Sequence, residues 1–302
     1  MRYLVTGVTG QLGAEVAAKL LARGETVFGS GRKQEAPKEL VAQPGFTYLA
    51  FDLADDTAVK TAFGAALPDA VIHCASWTAV DEAEKEENRD LVTKINAGST
   101  RLLAGLCASH GAKLLYISTD YVFGGTGEKP YGADSEDFDP LNVYGATKLE
   151  GERAVRETLA EHFVVRVSWT FGKYGDNFVE KMLRVAQGRQ EVSVVDDQFG
   201  TPTYTSDAAS VICDIAESSE YGTYNLAASG GFVSRAGFAR EIFRAAGSDV
   251  RVVPVKTADF KSPARRPLNS RFDCSKLGRH GFGPLPEWKD GLARYLAERK
   301  ES

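Results

Sequence analysis

Short apolar runs alternate with helical periodicity through the first half of the chain. Residues 3–6, 26–29, 46–51, 70–74, 113–118 and 163–167 are nearly continuous apolar stretches, and they predict buried strands. Between them, apolar positions recurring every three to four residues predict amphipathic helices near 11–23, 56–66, 88–110 and 142–159. This alternation predicts an α/β fold built on a Rossmann-like, doubly wound parallel sheet, because right-handed crossovers place helices on both faces.

Beyond about residue 170 the rhythm loosens. Helices are predicted near 176–187, 206–217 and 234–246 and strands at 192–195 and 224–227, while 256–287, rich in Pro, Arg and Gly, reads as loop. The predicted organisation is a nucleotide-binding domain over 1–171, to which 201–226 returns. A smaller C-terminal substrate-binding lobe comes from 172–200 and 227–287, and a helix over 288–302 closes the chain.

Composition narrows the function. The 302 residues are 43% hydrophobic and 25% charged, enough to bury a core without staples. No stretch approaches the roughly 20 apolar residues that span a bilayer, and the chain opens directly into a glycine-rich turn, so a cytoplasmic protein without membrane contact is expected. Cys74, Cys107, Cys213 and Cys274 lie far apart, and the four histidines form no HExxH set, so neither a disulfide framework nor a catalytic metal is expected. A net charge of −5 offers no footprint for nucleic acid, and an anionic ligand would have to meet a local basic cluster.

The first predicted strand ends in Gly7-Val8-Thr9-Gly10-Gln11-Leu12-Gly13. Gly7 permits the tight turn, Gly10 lets backbone approach a pyrophosphate, and Gly13 lets the helix pack close to the sheet. Thr9, Gln11 and Leu12 complete this surface, and the helix start offers free N–H groups to phosphate. After the second strand no acidic residue stands where a ribose 2′-hydroxyl would be bound; Arg32 and Lys33 stand there instead. A guanidinium suits a 2′-phosphate, which favours NADPH, with NADH the alternative and a solvated basic turn the structural reading. Asp52 and Leu53 are placed near the adenine, and Cys74, Ala75 and Ser76 at the fourth strand's end beside the cofactor.

Tyr144 and Lys148, four apart on one predicted helix, share a face. A free phenol, with pKa near 10, is a poor acid–base group at neutral pH, and a neighbouring ammonium is expected to lower it. Thr119, at the fifth strand's end, can donate a second hydrogen bond to a substrate oxygen.

The glycine turn, Thr119 and the YxxxK pair resemble the extended short-chain dehydrogenase/reductase superfamily. Within it, STDYVF (118–123), PLNVYGATK (140–148), RVSW (166–169), DQFGTP (197–202) and PARRPLNSR (263–271) are similar to the dTDP-4-dehydrorhamnose reductase family. The resemblance implies NADPH-dependent reduction of the C4 keto group of a dTDP-linked 4-keto-6-deoxy sugar, dTDP-4-dehydro-β-L-rhamnose in that family. Thr119, Tyr144 and Lys148 would be the catalytic set, with Lys148 also holding the nicotinamide ribose. Thr78, Val80, Asp120 and Trp169 would line the sugar pocket, and Asn177, Arg265, Arg266 and Arg271 would hold the nucleotide or its diphosphate. Trp169 as core and the arginines as a solvated loop are the structural alternatives. Tyr121 stands where related dehydratases carry a Glu, which argues for reduction over elimination.

Asn96 matches a polar residue of the superfamily, although a buried, satisfied Asn reads equally well. Some of these reductases hold magnesium between subunits with glutamates. Glu15 matches one of them, but Ser206 falls where another is expected, so no such site is expected and the mode of any homodimer stays open. Glu15 then reads as a first-turn residue favoured by the helix dipole. Reduction of another 4-keto nucleotide sugar, or a non-catalytic NADP-binding subunit, remain as alternatives.

Overall fold

The computed structural model describes residues 1–301. Its centre is a seven-stranded sheet formed by β1 (Arg2–Thr6), β2 (Thr26–Gly31), β3 (Phe46–Ala50), β4 (Ala70–His73), β5 (Lys113–Thr119), β6 (His162–Val167) and, near the chain's far end, a strand over Gly222–Leu226. The spatial order runs Gly222–Leu226, β6, β5, β4, β1, β2, β3, with every neighbouring pair parallel. Successive residues of a strand point to opposite faces. Tyr3 and Val5 accordingly join one apolar cluster with Leu115 and Ile117, while Leu4 joins the other with Leu114 and Tyr116. Both faces are covered, which is why these strands are nearly continuous apolar runs in sequence.

Helix α1 (Gln11–Ala22) packs on the first face together with a helix over Thr205–Glu217, and their contact is among the most extensive between any two elements. The opposite face carries α2 (Asp56–Ala66), α3 (Ser99–His110) and α4 (Val143–Thr158). A π-helical turn, Lys94–Gly98, leads into α3, and it presents Asn96 to the sheet edge.

A second body gathers α5 (Phe178–Ala186), β7 (Glu191–Val195), α7 (Arg235–Ala246) and β9 (Arg251–Val255), while the Thr205–Glu217 helix (α6) and the Gly222–Leu226 strand (β8) between them return to the main sheet. Strands β7 and β9 pair in parallel. Trp169, Phe171, Val179, Phe238, Ile242 and Trp288 form its separate core, to which α8 (Trp288–Glu301) contributes Leu292 and Tyr295. The loop-like stretch predicted over 256–287 contains short regular pieces, Thr257–Asp259, Ser275–Arg279 and Leu285–Glu287. No helix among the described residues is long and apolar enough to cross a membrane. The four cysteines are unpaired.

Candidate active site

In a doubly wound sheet the crossovers leave β1 in opposite directions, and a crevice opens at the carboxyl ends beside it. A cleft of about 780 Å³ lies there, between β1 and β4. Its lining includes Gly7, Thr9, Gly10, Gln11, Leu12 and Gly13 from the first turn, and Arg32 and Lys33 from the second. Asp52, Leu53, Cys74, Ala75, Ser76 and Thr78 continue it from β3 and β4, and Tyr144 and Lys148 close it from α4. One surface therefore gathers every residue singled out for the cofactor.

The first turn is shaped to admit a ligand's phosphates. Gly7 sits at φ +77°, and a Cβ there would lie 2.9 Å from the Ala75 backbone. At Gly13 a Cβ would stand 2.3 Å from the Gly7 carbonyl oxygen, so only glycine lets α1 start this close to the strand. Gly10 caps α1 without any side-chain bond, which leaves the helix N–H groups open to an anion. The Gln11 Oε1 and Ser118 Oγ atoms are buried without a hydrogen-bond partner, both on the cleft's wall. Such orphans, uncommon in folded proteins, are what a polar ligand would satisfy. Arg32 and Lys33 are exposed at the rim, where a 2′-phosphate could reach them. These features fit a dinucleotide phosphate.

Tyr144 and Lys148 do share a face of α4, whose start is fixed by Asn142: its Oδ1 accepts from Gly145 N at 2.8 Å. The expected electrostatics need correction. Burial holds the Tyr144 phenol well above its ordinary value, reinforced by the charge of Asp120 and by Tyr121, while hydrogen bonding to Thr119 pulls the other way. Lys148 does not offset this, because its Nζ donates to the Ile117 carbonyl at 2.6 Å and lies 4.0 Å above the Tyr116 ring. Burial lowers the amine itself to about 7, against the attraction of Glu152. Tyr144 is thus a neutral phenol at physiological pH. Thr119 donates its hydroxyl to Asp120 Oδ1 at 3.2 Å.

Asp120 is buried, burial pushes its carboxyl up to about 6, and its Oδ2 has no hydrogen-bond partner. Trp169, at φ +49° and 9% exposed, belongs to the lobe core, packed on one side by Gly200 and on the other by Arg235. Val80 opens the short helix Val80–Ala83, outside the cleft lining.

Asn177 has its polar atoms already spent. Its Oδ1 caps α5 by accepting from Glu180 N, and its Nδ2 donates to Gly172 O and the Tyr295 hydroxyl. The Asn-Phe-Val-Glu spacing carries that signal in sequence, an N-cap residue with Glu three positions on. Arg266 is bound to Asp81 through 2.7 and 3.1 Å contacts, whereas Arg265 is exposed and Arg271 lies over the Phe199 ring at 4.6 Å.

Asn96 is buried and satisfied, and it also shapes the cleft: its Oδ1 accepts from Trp77 N and its Nδ2 donates to Thr147 Oγ1. Glu15 lies beyond the first turn of α1, which begins at Gln11, so the dipole is not its main support. It is only 9% exposed, and burial raises its carboxyl. Among the described residues no three His, Cys, Asp or Glu side chains group closely enough to hold a metal ion. Sequence reading missed Arg235. A cation at the first position of a helix, against the dipole, is the signal that could have found it.

Comparison with known proteins agrees with this geometry. The family model described as RmlD substrate binding domain matches residues 1–301. The dTDP-4-dehydrorhamnose reductase of Streptomyces griseus is 39% identical over 298 residues, covering 96% of this chain and 91% of that protein. The dTDP-4-keto-6-deoxy-D-glucose reductase of Streptomyces niveus is 34% identical over 295 residues, 97% of this chain and 96% of its own. Among solved structures, the dTDP-4-dehydrorhamnose reductase of Bacillus anthracis in complex with NADP superimposes with a TM-score of 0.87 at 38% identity, covering 98% of this chain and 99% of that one. A family model over nearly the whole chain and relatives covered almost end to end place this chain in the RmlD family of dTDP-4-dehydrorhamnose reductases.

Proposed function

We propose that this protein reduces the C4 keto group of dTDP-4-dehydro-β-L-rhamnose to give dTDP-L-rhamnose, using NADPH. The observation that carries the reading is the meeting of a neutral, half-buried Tyr144 with a phosphate-shaped glycine cradle in one cleft. NADPH supplies the hydride when bound.

The chain's own residues then have distinct tasks. Gly7, Gly10 and the open start of α1 hold the pyrophosphate, and Arg32 with Lys33 meets the 2′-phosphate. Tyr144 donates its proton to the substrate oxygen as negative charge grows there. The phenol is protonated in the free protein, so its proton is available when charge develops on the substrate oxygen. Thr119, whose hydroxyl donates to Asp120 in the free protein, turns that proton to the same oxygen as the second hydrogen bond. Lys148, anchored on the Ile117 carbonyl, fixes the ribose side of the cleft. Arg265 and Arg271 are the proposed partners of the nucleotide diphosphate, and the free thiols accord with a cytoplasmic setting.

A second reading has a specific basis: the Streptomyces niveus relative is named for a different 4-keto sugar. One assay decides between them. Pure protein with NADPH and dTDP-4-dehydrorhamnose should oxidise the cofactor and yield dTDP-L-rhamnose. Turnover confined to dTDP-4-keto-6-deoxy-D-glucose would favour the second reading. NADPH binding without turnover of any 4-keto nucleotide sugar would favour a non-catalytic, NADP-binding subunit.

A further inference from the structure

Arg235 occupies a place that helix stability alone does not explain. It is the first residue of α7, where the helix end is positive and a cation is disfavoured. Its side chain is half-buried, and burial lowers the guanidinium to about 10. Among the described residues no carboxylate lies within 4 Å of it and no side-chain hydrogen bond is made, although its nitrogens are not sealed from solvent. Guanidinium groups taken out of water are ordinarily paired. This one is held instead by two rings, 3.6 Å from the Trp169 centroid and 5.0 Å from that of Phe178.

The other side of the same space is equally unfinished. Asp120 and Tyr121 both attract the guanidinium, and Arg266 repels it. The carboxylate is 3% exposed, and one of its oxygens, Oδ2, has no partner. A guanidinium without a carboxylate partner and a carboxylate with an unpartnered oxygen therefore attract one another without forming an ion pair, and Asp120 adjoins Thr119.

We propose that Arg235 is a specificity-determining residue, which together with Asp120 grips the hydroxyl-bearing edge of the substrate's sugar ring. A sugar hydroxyl can donate to Oδ2 and accept from the guanidinium at once, so a pair of them satisfies both groups without a net charge on the ligand. The alternative anion, the diphosphate, would bring its charge against the Asp120 carboxylate as well as toward Arg235. The inference rests on the sugar-nucleotide reading above.

Arg235→Met keeps a long stem over Trp169 and removes the donors. Three affinities are measured on wild type and variant: NADPH, dTDP, and dTDP-L-rhamnose. A charged hydrogen bond lost inside a site weakens binding about ten- to a hundredfold. The expected result is such a loss for dTDP-L-rhamnose, with dTDP and NADPH unchanged; NADPH also reports that the variant is folded. Arg235→Lys should recover part of the loss. An equal loss for dTDP would make Arg235 a phosphate ligand, and no loss at all would make it a packing residue; either overturns the proposal. Should wild type itself ignore dTDP sugars, the functional reading fails first, and the two failures are distinguishable.

Discussion

Tyr144 and Asp120 show how far burial, rather than a nearby charge, sets the chemistry of single residues here. Both are desolvated by burial, so both favour the proton: the phenol stays neutral and the carboxyl rises from 3.8 to about 6. Removing the acid should cost rate and little else. Tyr144→Phe is expected to lower kcat by orders of magnitude while NADPH affinity, measured by titration, holds nearly constant. Turnover retained in that variant would assign the proton to another group. Asp120 leads to a stability prediction. Its native form keeps a proton at a pH where the unfolded chain has released it, so its contribution favours folding at low pH. That contribution is lost as pH rises from about 3.8 through about 6. Groups facing Asp120 include Arg235, Tyr121 and Tyr144, and comparison with a variant at each pH cancels their own titration. Asp120→Asn should therefore gain thermal stability over wild type at pH 7.5, and the gap should shrink toward pH 4. A gap that stays constant across that range would mean the carboxyl is not displaced.

Among elements, α4 carries the most consequence, because it holds both Tyr144 and Lys148 against β5. Its approach depends on small residues. A Cβ at Gly151 would stand 2.3 Å from the Tyr116 hydroxyl and 2.9 Å from the Asn96 carbonyl. Gly→Ala in a helix interior ordinarily stabilises by about 0.5–1 kcal/mol. Here the sign should reverse: overpacking against a buried ring costs about 1–3 kcal/mol, read from denaturant midpoints. The shift of α4 should also lower kcat, although Gly151 touches no ligand. The YxxxK face was legible because four-residue spacing on a helix fixes which side chains are neighbours, whatever the rest of the fold does. What Lys148 bonds to was not legible, since the Ile117 carbonyl that holds it belongs to a strand end placed by tertiary packing. Asn177 is the opposite case: its capping role was local and readable from an N-cap residue with Glu three positions on.

At the scale of the whole molecule, the parallel sheet could be read because strands covered on both faces leave apolar runs, and the glycine turn could be read because its requirement is steric. Arg235 was legible only as a cation at a helix start; the Trp169 ring that holds it comes from a distant part of the chain. Net charge adds one more constraint. The molecule carries −5, so its long-range field repels a dinucleotide phosphate, and affinity must come from short-range cations and open N–H groups. Arg32 and Lys33 are exposed, and exposed charge is screened within about 10 Å at 0.1 M salt. NADPH carries the 2′-phosphate that NADH lacks, so only NADPH gains from this pair. Raising salt from about 0.05 to about 0.5 M, a range that shortens the screening length severalfold, should weaken NADPH more than NADH. Arg32→Ala should reproduce that selectivity at low salt, weakening NADPH about tenfold or more while NADH changes little, as expected for a charged hydrogen bond at a half-solvated site. Cofactor titrations at both salt concentrations check it. Equal weakening of the two cofactors by the substitution would place the 2′-phosphate elsewhere, and equal salt dependence would assign the discrimination to neutral donors.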